Sequence, residues 1–227
     1  MKNNQRRRPR VALLLSTAMV TAVGDPRRSN QYLRGLKKVL NRYEESPGLD
    51  IFWIDNTVAN LAPLDSEFDM FSQRPNPPKA IFFEDNRSGL VNKGAGLLVQ
   101  WHRWSSSEFG FYDFIVHYEP RLRVYSWKIF DSIVKNPRNL FMVEQSPQRA
   151  FWYNGPRYEP NFFTGFFCLD LESFSRFLVA FEPHILLEPE MAIEDAIHRF
   201  ISDQQISFES QTFLGLMRMN GRRPEFR

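Results

Sequence analysis

Apolar and polar positions follow two rhythms along this chain. Val11 to Leu15 is an unbroken apolar run that stops at Ser16 and Thr17, and Leu49 to Ile54 is a second that stops at Asp55 and Asn56. Ala80 to Phe83 stops at Glu84, Asp85 and Asn86, and Phe114 to Val116 stops at His117, Tyr118 and Glu119. Short runs bounded in this way read as buried strands that reach a polar edge. Between them the period changes to that of a helix. Tyr32, Leu33, Leu36, Val39, Leu40 and Tyr43 share one face, with Ser29 as the expected N-cap. Leu90, Val91, Gly94, Leu97, Leu98 and Trp101 share another, which leaves Asn92, Lys93, Gln100 and His102 on the outer side.

Strands alternating with helices of this length predict an α/β three-layer sandwich with a mainly parallel central sheet. Ligands of such sheets bind outside the carboxyl ends of the strands, so the polar stops are expected to share one edge. The second half of the chain is more irregular. Ser126 is the expected cap of a helix through Trp127, Phe130, Ile133 and Val134, and Leu140 to Val143 is strand-like. Phe151 to Asn161 is aromatic and rich in Pro and Gly, which predicts a hairpin or loop wall carrying Trp152 and Tyr153, whereas Trp101, Trp104 and Trp127 read as core. Phe162 to Leu169 reads as a buried strand in which Gly165 marks a bulge or the close approach of a ligand. Asp170 opens a helix with Phe174, Phe177 and Leu178 inward, and Pro189 a last one with Ile193, Ile197, Phe200 and Ile201 inward.

Composition narrows the picture. The chain has 227 residues, 43% hydrophobic and 15% aromatic, enough for one buried core. One domain is expected over 11–208, in two parts of different character, 11–123 and 124–208. A basic, disordered N-terminus (1–10) and a C-terminal tail (209–227) flank it. The net charge of +3 is small, and the basic residues gather at the ends, as in Arg6, Arg7, Arg8 and Arg10 or Arg222, Arg223 and Arg227. They read as solvated tails able to touch an anionic membrane surface peripherally, and no nucleic-acid partner is expected. A single cysteine, Cys168, excludes an intrachain disulfide and a CxxC metal knuckle. The run after Arg10 has the layout of a secretory leader, but Ser16 and Thr17 break it and it falls short of the about 20 residues a span requires. It is taken as the first strand, and the protein as cytoplasmic.

Together these pieces resemble the nucleotide-sugar glycosyltransferases of the GT-A fold, from about Arg10 to Phe208. NRSGLVNKGAG, beginning at Asn86, is similar to the Asn- and Gly-rich segment that this family places after its third strand. DFIVHYE stands where the family carries its Asp-x-Asp motif, TGFF resembles its glycine-containing sugar wall, and IEDAIHRF its helix-borne acidic pair. The resemblance implies transfer of a sugar from a nucleotide-sugar donor to a hydroxyl of a glycan, lipid or protein. Ser16, Thr17 and Asp55 would hold base and ribose. Asn86, Asn92, Lys93 and Gly165 would line the donor, Glu119 and His117 would face its diphosphate, and Asp195, next to Glu194, would be the base.

The chemistry suits these residue types. A diphosphate leaving group needs a counter-charge, and a carboxylate is needed to take the acceptor proton. Glu119 and His117 are an oxygen and a nitrogen ligand for Mn²⁺ or Mg²⁺. With His-Tyr-Glu in place of two aspartates, a metal-free site built on Lys93, Arg121 or Arg123 stands beside the metal reading. Glu194 and Asp195 also have a plain role, as acids in a first helical turn with Glu194 four residues before His198. The alternative function is a non-catalytic nucleotide- or glycan-binding or assembly protein on a degenerate GT-A scaffold.

Overall fold

The computed structural model describes residues 7–20, 26–59, 71–108, 110–124, 126–144, 161–187, 191–212 and 217–218. The expectations for Trp152, Tyr153, Pro189 and both extreme termini lie outside these residues. The first half runs β1 (Val11–Thr17), α1 (Pro26–Tyr43), β2 (Leu49–Asp55), β3 (Lys79–Phe82), α2 (Arg87–Val91), α3 (Lys93–Glu108) and β4 (Phe114–Tyr118). The second runs β5 (Arg123–Val124), α4 (Lys128–Lys135), β6 (Leu140–Glu144), β7 (Asn161–Asp170), α5 (Leu171–Ala180), α6 (Ile193–Gln204), β8 (Glu209–Thr212) and β9 (Met217–Arg218).

The main sheet has seven strands in the order β3-β2-β1-β4-β7-β6-β8. β1 pairs in parallel with β2 and β4, and β2 with β3, so the carboxyl ends of these four strands share one edge. β7 runs antiparallel to both β4 and β6. Every residue of β1 is buried, because both faces of the strand are covered. Val11, Leu13 and Leu15 pack with Leu36, Val39 and Leu40 of α1 and Phe130 of α4. Ala12 and Leu14 pack with Leu98, Trp101 and Trp104 of α3, Phe174 of α5 and Phe200 of α6. Each large side chain buried this way contributes about 1.5–3 kcal/mol of transfer free energy.

Four local expectations are corrected. Ser29 lies inside α1, and its hydroxyl donates to Met19 O at 2.8 Å instead of capping the helix. The helix after β3 is broken at Asn92, which leaves Leu90 and Val91 on α2 and exposed. Gln100, assigned to an outer face, is buried. Residues 209–212, expected in a tail, pair in parallel with β6 as the last strand of the sheet. Gly165 does mark an irregularity: Phe141 of β6 faces Phe167 while Met142 faces Phe163, and the intervening bulge of β7 contains it.

Candidate functional site

One carboxylate ties the carboxyl ends of β1 and β2 together. Asp55 is fully buried and accepts from Thr17 Oγ1 at 2.6 Å, Met19 N at 2.9 Å, Thr57 N at 2.7 Å and Thr57 Oγ1 at 2.6 Å. Burial pushes this carboxyl above its ordinary range, and the same hydrogen bonds pull against that shift. The Thr17 hydroxyl also receives Trp53 Nε1 at 3.0 Å. Asp55, expected to hold base and ribose, thus has its oxygens engaged in shaping the loop and does not line the cleft described below.

The glycines between α2 and α3 are explained by packing. A Cβ on Gly96 would lie 2.7 Å from Gly89 Cα, and one on Gly94 2.7 Å from Ile193 Cβ. Asn92 serves the same junction. Its Oδ1 accepts from Gly94 N at 2.8 Å, as an N-cap does, and its Nδ2 donates to Leu186 O at 3.0 Å and Met191 O at 2.9 Å. The amide lines the cleft but is fully used by the protein. Asn56 fixes α3 to the sheet, donating through Nδ2 to Asp85 O at 3.1 Å and Gly96 O at 3.2 Å. Gln100 Nε2 then donates to Asn56 Oδ1 at 2.8 Å and Thr17 O at 2.7 Å.

Beyond β4 the backbone turns against α1. A Cβ on Gly35 would lie 1.7 Å from Pro120 O, so only glycine admits the 119–121 turn this close. The contact brings Glu119 to α1, where Oε1 accepts from Tyr32 OH at 3.0 Å and from Arg121 Nε, the two side chains forming a largely buried ion pair. Arg28 lines the same wall, and its Nε is buried without a hydrogen-bond partner. Burial, reinforced by Glu119, raises the Tyr32 phenol above its ordinary value and keeps it a donor. His117 is buried on the opposite face of the sheet, its ring 5.0 Å from that of Trp101 and its Nδ1 2.9 Å from Thr164 O. Burial pushes its pKa down to about 3, so the ring is neutral.

These residues do not fit a divalent cation. Glu119 already carries a guanidinium and a phenol, and His117 lies on the other face of the sheet from it. Among the described residues no three His, Cys, Asp or Glu side chains gather into a metal set. The acidic pair divides as well. Asp195 is buried and does not line the cleft, whereas Glu194 does, with Oε1 accepting from Thr164 Oγ1 at 2.7 Å. Of the pair expected to supply a base, Glu194 is therefore the one that faces the cleft.

The cleft at this edge has a volume of about 880 Å³. Of the residues named from the sequence, Ser16, Thr17, Asn86, Asn92, Lys93, His117, Glu119, Gly165 and Glu194 all line it. The sequence reading missed Arg28, Tyr32, Gln100, Thr164 and their partnerships. Arg121, two residues beyond Glu119, was by contrast a candidate cation from the sequence, and it lines the cleft.

No protein-family model matches the chain, and no curated protein sequence does. Among solved structures, the crystal structure of 4-diphosphocytidyl-2C-methyl-D-erythritol synthase from Anaerococcus prevotii is similar over 90% of this chain and 88% of that one, with a TM-score of 0.51 at 9% identity. The likeness is one of fold, a GT-A-like three-layer sandwich. No helix among the described residues is long and apolar enough to cross a membrane.

Proposed function

We propose that this chain is a nucleotide-sugar-dependent glycosyltransferase whose counter-charge comes from its own cations. The observation that carries the reading is the division of the cleft between cations and a carboxylate. Arg28 and Arg121 stand on the α1 side and Glu194 at the start of α6 across the sheet, with Lys93 at the start of α3. A diphosphate laid across the strand ends meets the guanidinium groups, which stabilise the negative charge that grows as the sugar–oxygen bond breaks. Glu194 takes the proton of the attacking hydroxyl as the new bond forms. The neighbour named for a diphosphocytidyl compound supports a nucleotide diphosphate at this edge. The acceptor in this reading is a hydroxyl of a glycan, lipid or protein.

The test is calorimetry of the full chain against nucleoside diphosphates, with and without a chelator, followed by assays of donor hydrolysis and transfer. Binding that survives chelation and is weakened by at least about tenfold in Arg121→Ala is the expected result. Binding that requires Mn²⁺ or Mg²⁺ overturns the cationic reading. Binding without hydrolysis or transfer to any offered acceptor favours the non-catalytic alternative, for which the departure from Asp-x-Asp is the specific support.

A further inference from the structure

Four buried polar atoms in residues of the cleft wall have no hydrogen-bond partner: Arg28 Nε on the α1 side, and Ser16 Oγ, Gln100 Oε1 and His117 Nε2 together on the α3 side. Folded proteins leave few such atoms, and a group of them beside a cleft calls for a ligand. The three on the α3 side come from neighbouring elements. β1 and β4 pair in parallel, strand alternation puts Ser16 and His117 on the face covered by α3, and Gln100 reaches down from that helix.

The hydrogen-bond roles of these atoms follow from their surroundings. Asn56 Nδ2 faces two backbone carbonyls, which can only accept, so its Oδ1 is turned to Gln100. Gln100 must then present Nε2 to Asn56 Oδ1 and Thr17 O, which leaves Oε1 as a bare acceptor. His117 Nδ1 faces the Thr164 carbonyl and so carries the ring proton, leaving Nε2 a second bare acceptor. Ser16 Oγ can both donate and accept. These three groups are uncharged and short of donors. Phosphate and carboxylate oxygens would set lone pair against lone pair here, whereas hydroxyl groups supply what is missing.

We propose that Ser16, Gln100 and His117 form a sugar-hydroxyl subsite, in which ring hydroxyls of a nucleotide sugar donate to Gln100 Oε1 and His117 Nε2 and share a hydrogen bond with Ser16 Oγ. This rests on the nucleotide-sugar reading above and deepens it, since it separates the seat of the sugar from the seat of the phosphates. The hydroxyls belong either to the transferred hexose or to the ribose.

Calorimetry with matched ligands tests the subsite. Uridine and guanosine diphosphates are compared with their glucose and mannose conjugates, and the ribonucleotides with their 2′-deoxy forms. The expected result is that one comparison shows a hydroxyl-dependent gain in affinity, and that Ser16→Ala reduces that gain by about fivefold to tenfold, the worth of one neutral hydrogen bond. The ligand lacking the hydroxyls should bind Ser16→Ala within about twofold of its affinity for the unaltered protein. Ser16 Oγ has no internal partner, so this variant keeps its fold. His117→Phe, checked by its melting curve, should abolish the gain. A gain that survives both substitutions, or an equal loss for every ligand, overturns the subsite and leaves the nucleotide reading standing. Failure of every nucleotide to bind overturns the nucleotide reading and the subsite with it.

Discussion

On the α1 side of the cleft, the Glu119 carboxylate meets the Arg121 guanidinium and the Tyr32 phenol, with Arg28 beside them. On the α3 side, across the sheet, Ser16, Gln100 and His117 present polar atoms that carry no charge and meet no partner. The first wall holds its charges by pairing them, which lets an incoming anion compete for a cation already in place. The second wall holds uncharged acceptors, which cost less to bury than ions and discriminate by hydrogen-bond direction. In the proposed reading, one cleft tells the charged part of a ligand from its neutral part before any chemistry begins.

The largest expected effect concerns the carboxylate that lines the α3 side. Glu194→Gln keeps an acceptor for Thr164 but removes the base, and turnover should fall by about 10² to 10⁴-fold while nucleotide affinity holds. Asp195→Asn, buried one position away, should show its effect in the melting curve. Reversal of that pattern would restore Asp195 as the base. Next, Arg121→Ala should weaken nucleoside diphosphate binding by about tenfold to a hundredfold, the range for hydrogen bonds to a charged group. An unchanged affinity would mean that the α1 wall is structural only.

The neutral wall makes a prediction about pH. His117 has a folded pKa of about 3, below its ordinary value, so the unfolded chain binds the proton more tightly. Its contribution to stability is complete above the ordinary histidine value near 6.5 and is lost as pH falls from there toward 3, at about 1 kcal/mol per pH unit. Denaturant titrations of the parent and of His117→Phe should diverge in that window, and parallel curves would show that this wall tolerates a charge. The smallest effect is expected from Glu119→Gln, which frees Arg121 from its ion pair. Diphosphate affinity should rise by about twofold to fivefold, and a fall would assign Glu119 to the ligand instead.

The layers, the parallel half of the sheet and its polar edge were legible because buried strands are continuous apolar runs and the stops after them are chemically abrupt. The segments of the site were legible for the same reason. Its working atoms were less so. Asp55 and Asn92 have the right chemistry in the right place, yet their hydrogen-bonding capacity is taken by backbone groups that only the folded chain brings near. Glu194 and Asp195 differ by about 100° around a helix whose inward face the apolar pattern marks, but which of the two reaches the cleft depends on how that helix docks on Gly94 through Ile193. Tyr32 and Glu119 are 87 positions apart and meet because α1 and the turn after β4 touch backbone to backbone.

Gly35 stands outside the cleft, but the absence of its side chain sets the height of the Pro120 carbonyl above α1. Backbone packed on backbone has no rotamers through which to absorb an added atom, so a methyl group there must displace the whole turn bearing Glu119 and Arg121. In a scan of all single substitutions scored for ligand binding, position 35 should therefore be as intolerant as the positions that line the cleft. A map built from such data would draw the boundary of the site one layer deeper than its contacts do.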